Sequence, residues 1–155
     1  MHRKQVLVRA LAAVGLAPAT PLLVHQASTG AHASPVVGSW FVLVQGAPFA
    51  QHLFVFHADG TMLQANPDAG DAHTSDSDGI GVWKGSHTVV GAFVEVNADR
   101  ATHRHVSTLR VEFKIDVAGD TFTGPATATY YHPDGSVQAV YPASFKATRI
   151  PLPKE

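Results

Sequence analysis

The chain contains no cysteine. That excludes disulfide staples and also the lipid-bearing cysteine of a bacterial lipoprotein. No apolar run is long and unbroken enough for a membrane-spanning helix, which needs about 20 residues. The longest, Ala10 to Val24, is cut by Pro18 and Pro21. Helical periodicity is almost absent after Ser34. The Gly-x-Ser-x-Gly motif of acyl-transfer enzymes does not occur, and nothing in the order of residues points to a Ser-His-Asp triad. Basic residues are scattered, so there is no footprint for nucleic acid or an anionic membrane.

What is present begins with a basic start, His2, Arg3, Lys4 and Arg9. The apolar stretch follows, then Ala31-His32-Ala33, which fits the small-x-small rule of signal peptidase. This order predicts a secretory signal peptide over residues 1–33, with cleavage before Ser34. The expected location is therefore secreted, periplasmic or cell-envelope. Of the 11 basic residues, cleavage removes Arg3, Lys4 and Arg9, leaving 8 against 12 acidic ones, a net charge of −4. A small exported domain without staples must stand on its core alone, which favours a well-closed architecture.

Residues 34–150 read as short apolar or alternating runs separated by Gly, Asp, Asn and Pro, with a tail over 151–155. The runs are Val36–Val44, Gln51–His57, Thr61–Ala65, Gly79–Lys84, His87–Asn97, Val106–Val117, Thr121–Tyr131 and Ser136–Ile150. In the sixth, Leu109, Val111, Phe113 and Ile115 alternate with Arg110, Glu112 and Lys114, which is a half-buried strand with one wet face. Eight strands with mostly short connections predict an all-β, antiparallel up-and-down barrel, closed so that no edge is exposed. Two segments echo each other: His57-Ala58-Asp59-Gly60-Thr61 and His132-Pro133-Asp134-Gly135-Ser136. Asp-Gly supplies the positive φ of a tight hairpin, so both are read as turns rather than as a duplicated site.

Gly38-Ser39-Trp40 at the start of the first strand resembles the Gly-x-Trp signature of the lipocalins and wider calycin barrels. The resemblance implies that Trp40 closes the barrel floor and that Arg149, just at the end of the last strand, packs across it, with Gly38 beside them. It also implies a lumen for a small molecule. The chain lacks the family's Thr-Asp-Tyr motif and its helix, and is short. The pattern is thus that of a compact, lipocalin-like secreted bacterial barrel.

Several residues could carry chemistry. His103 and His105 are two apart and would share a face if both lay on a strand, a spacing that suits a metal. No third ligand is evident and Arg104 lies between them, so no metal site is assigned. Asp68, Asp71, Asp76 and Asp78 occupy a long polar stretch without the ligand set of a calcium loop. Glu112 falls on the wet face of its strand. Glu95 shares a face with Phe93 and Asn97, and would be a perturbed acid if that face were internal.

The expected function is binding of a small apolar or amphipathic molecule in the lumen, with Phe54, Phe56, Trp83, Phe93, Tyr130 and Tyr141 as candidate lining residues. No cofactor is implied. The alternatives are a barrel cyclase or isomerase acting on a hydrophobic substrate, in which cavity shape does most of the work, and a packed-lumen barrel that acts through its outer surface.

Overall fold

A computed structural model describes residues 34–67 and 73–153. The leader assigned to residues 1–33, and Asp68 and Asp71 of the acidic stretch, lie outside the described residues. Nine antiparallel strands follow one another: β1 Gly38–Gln45, β2 Gln51–Phe56, β3 Thr61–Ala65, β4 Thr74–Asp76, β5 Gly79–Gly85, β6 Thr88–Asp99, β7 His105–Ala118, β8 Thr121–Tyr131 and β9 Val137–Arg149. There is no helix among the described residues.

Eight of the strands close an up-and-down barrel. β1 pairs with β2 and β9, and β6 pairs with β7, so the ladder returns on itself. The ninth, β4, was hidden in the polar stretch after Asn66, where Thr, Ser and Asp give no alternating signal. It is no extra wall. Thr74–Asp76 pairs with Asp99–Asn97, and Ile80–Gly85 with Val94–Val89, so both lie along the same edge of β6. The register slips by one residue between them. At the slip the Ser77 hydroxyl accepts from the Val96 amide at 2.8 Å, in place of a backbone carbonyl. β4 and β5 are therefore one barrel strand interrupted by a bulge, the kind of irregularity that re-aims side chains at barrel rims.

Inward residues alternate with outward ones along every long strand. At the closed end the interior is filled by Trp40, Phe56, Phe113 and Phe122, all at most 5% exposed. Trp40 packs on Phe122 with centroids 4.9 Å apart, and Phe56 meets Phe113, Phe122 and Trp83 edge-on. Tilted and edge-to-face rings satisfy the aromatic quadrupoles while filling volume.

The floor is sealed by the N-terminal segment. The Trp40 indole N–H donates to the Val36 carbonyl at 2.7 Å. Arg149 lies with its guanidinium carbon 4.2 Å from the Trp40 ring centroid, directly opposite Trp40 in the β1–β9 register. Its nitrogens donate to the carbonyls of Val37 and Pro35 and to Asp120 Oδ1. One cation thus binds the incoming chain, the floor aromatic and the β7–β8 turn together. Gly38 is required there: its φ is +129°, and a Cβ would sit 2.7 Å from Arg149 Nη1. Gly38, Trp40 and Arg149 thus meet at one end of the barrel.

The two echoing hairpins are the same object. In each, the leading His donates its amide to the residue four on, and Asp59 or Asp134 accepts from the amide and hydroxyl of Thr61 or Ser136. Gly60 and Gly135 take φ of 86° and 84°. These bonds hold both carboxyls below the usual carboxylate range, so Asp in these copies is explained by the turn.

Candidate functional site in the open half of the barrel

Inward side chains shrink toward the other end. β8 and β9 contribute Ala128, Ala139 and Ala143, and the β1–β2 connection contributes Gly46 and Ala47. Small residues on a wall that elsewhere carries phenylalanines cannot fill the lumen. The result is a cavity of about 680 Å³, within the range of small-molecule sites. Its bottom is made by Phe54, Phe93 and Phe145, packed edge-on around Phe54 with centroids 5.6 Å and 5.2 Å away. Tyr130 and Tyr141, in edge contact at 6.0 Å, form one side wall.

Four of the six lining residues expected from the sequence are therefore in the cavity: Phe54, Phe93, Tyr130 and Tyr141. Phe56 and Trp83 do not reach it. Strand phase places both on the inner side, but phase says nothing about depth. β5 runs from the cavity at Gly79 toward the closed end, and at ~3.3 Å per residue Trp83 lies about 13 Å further down. Its indole N–H donates to the carbonyls of His57 and Thr61 and so ties down the β2–β3 hairpin.

The polar part of the site was only partly legible. Phe93, Glu95 and Asn97 do share a face, and that face is internal: Glu95 is 5% exposed and Asn97 6%. Asp76 joins them because the β4 register sets it directly opposite Asn97. Asn97 donates through Nδ2 to Ser107 Oγ at 2.9 Å, while its Oδ1 is buried with no hydrogen-bond partner. An orphaned buried acceptor costs about 1–3 kcal/mol, which marks a place where a donor is wanted. Burial pushes the Glu95 carboxyl up to about 7, with the charges of Asp76 and Asp78 adding to the effect. Burial, then the charges of Glu95 and Asp76, raise the Tyr130 hydroxyl further, so it stays protonated. Among the described residues neither lysine nor arginine lines the cavity.

A third group, unforeseen from the sequence, is His52. Gln64 Nε2 lies 2.9 Å from His52 Nδ1 and 2.6 Å from Asn66 Oδ1, and Gln64 Oε1 accepts from the Gly79 amide. Because Gln64 donates, Nδ1 must be bare, and Nε2 carries the proton toward the Phe49 carbonyl at 3.3 Å. Burial lowers the His52 pKa, consistent with a neutral ring. Alternation of His52 with Phe54 and Phe56 was the available signal.

Other sequence candidates lie elsewhere. Glu112 is on the outer wall, paired with Arg110 at 2.7 Å. His103 is not on a strand. It sits in the β6–β7 turn with φ 55°, whereas His105 begins β7, its Nε2 2.9 Å from Thr108 Oγ1. The two imidazoles do not share a strand face. No cluster of three or more metal-ligating His, Asp or Glu occurs among the described residues. Asp99 holds the β6–β7 turn, accepting from the Ala101 and Thr102 amides.

Comparison with protein-family models, curated proteins and solved structures returned no match.

The buried carboxyl gives stability a pH dependence. Glu95 rises from 4.5 to about 7 on folding, so the unfolded chain holds fewer protons at this site between those values and stability falls as pH climbs through that window. The full cost, about 3 kcal/mol, is present above pH 7 and absent below about 4.5. Glu95→Gln is expected to be more stable than the wild type at pH 8 by up to this amount and equal to it at pH 4. Urea unfolding at the two pH values measures the difference; a variant equally or less stable at pH 8 contradicts the assignment.

Proposed function

We propose that this chain is an exported barrel that holds one small amphipathic molecule in the open half of its lumen. The observation that carries the reading is the cavity of about 680 Å³ with an aromatic bottom and a few polar groups at its wall. Aromatic surface gives affinity and a few convergent polar groups give orientation. A ligand burying roughly 300 Å² of apolar surface gains about 7 kcal/mol gross, so micromolar binding is within reach before association costs are deducted. Scattered positive charge gives no support to a nucleic-acid partner.

Neither tryptophan lines the cavity, so a neutral fluorescent probe, N-phenyl-1-naphthylamine, is the better reporter. The full chain is expected to enhance its emission saturably with one site per barrel, and decanol to displace it. Ala143→Trp, which fills the cavity from β9, should abolish the signal without loss of the cooperative unfolding transition. Probe binding undiminished in a folded Ala143→Trp protein would place the site elsewhere. Export is supported by the order of basic start, apolar run and Ala31-His32-Ala33. Intact mass of the extracellular or envelope protein should begin at Ser34, and a secreted species retaining Lys4 refutes it.

One observation favours a second reading, a cyclase or isomerase: a carboxyl poised near neutrality inside an apolar cavity is what a general acid or base needs. It would demand that Glu95→Gln keep probe binding while losing turnover.

A further inference from the structure

We infer that the occupant of the lumen carries an ammonium or similar cationic donor group, seated between Glu95 and Asn97. This deepens the binding reading and rests on it. The cavity's polar groups are unbalanced in kind. Glu95 brings a buried carboxyl, and Asp76 and Asp78 stand near enough to act on it. Asn97 turns its only free atom, the acceptor Oδ1, into a buried position without a donor. Among the described residues no lysine or arginine lines the space, and His52, which does, is engaged as a neutral ring by Gln64 and Phe49. Such a wall repels a fatty-acid carboxylate. A primary ammonium instead supplies several N–H donors and a compensating charge at once. Tyr130 and Tyr141 line the same cavity, and aromatic rings attract cations. The rest of the ligand is apolar, in keeping with the phenylalanine, valine, leucine and alanine side chains that make most of the remaining lining, beside His52, Asn66 and Gln138.

Three probes of equal chain length separate this inference from the binding reading: decylamine, decanol and decanoate, titrated calorimetrically into the full chain at pH 8. Decylamine should bind at least tenfold more tightly than decanol, and decanoate more weakly than either. The advantage should vanish in Glu95→Gln while decanol affinity is kept. Should that variant not fold, the wild type still decides. Between pH 8 and pH 6 the amine stays charged while Glu95 takes up a proton, and among the groups facing it (Asp76, Asp78, His52, Tyr130 and Tyr141) Tyr130, raised by burial, remains protonated. The amine preference should therefore shrink severalfold. Decanol binding as tightly as decylamine at pH 8 overturns the cationic ligand and leaves the cavity reading standing. Failure of all three probes overturns the cavity reading itself.

Discussion

A closed eight-stranded barrel fixes how much interior its side chains must fill, and that volume is the constraint from which the other features follow. The inside is just wide enough to be packed solid or to keep room for one small molecule. This chain does both. Toward the Trp40 end the inward positions carry Trp and Phe and the lumen is full; toward the other end they carry Ala, Asn and Glu and it is not. The aromatic column from Trp40 through Phe56 to Phe54 makes a rigid floor for the empty half. Arg149 keeps that column from opening to solvent by stapling the segment before β1 over it. Closure of β1 on β9 and of β6 on β7 removes the sheet edges that would otherwise have to be protected.

How much of this was written in the sequence depends on which property is asked for. Strand identity follows from period-two alternation, a local pattern, and every run read from it corresponds to a strand with ends shifted by at most two residues. The hairpins were legible because Asp59-Gly60 and Asp134-Gly135 carry their conformational demand in residue type. Depth was not legible. Phe56 and Trp83 have the right phase, but which end of the barrel a strand position occupies depends on strand order and stagger, which only the closed sheet sets. β4 was invisible because its pairing rests on backbone bonds and on Ser77 acting as a substitute acceptor, not on apolar side chains.

The same bulge that hid β4 from the sequence builds the polar cluster. Had β4 continued in the β5 register, Asp76 would not stand opposite Asn97. A one-residue slip therefore gathers Asp76, Asn97 and Glu95 on one patch of an otherwise apolar wall. Such an arrangement works against stability. Charge on Glu95 is disfavoured by burial and by its acidic neighbours, and Asn97 keeps an acceptor unsatisfied. A barrel whose core is complete at the other end can sustain that cost. Demands are divided along the barrel axis: the closed half is filled with apolar side chains, while the open half holds a buried carboxyl, Glu95, and the unsatisfied acceptor of Asn97. The division also explains why the polar lining is not near Gly38-Ser39-Trp40. Those residues belong to closure, whereas the cavity is lined from β4, β6, β8 and β9, among others, at the far rim.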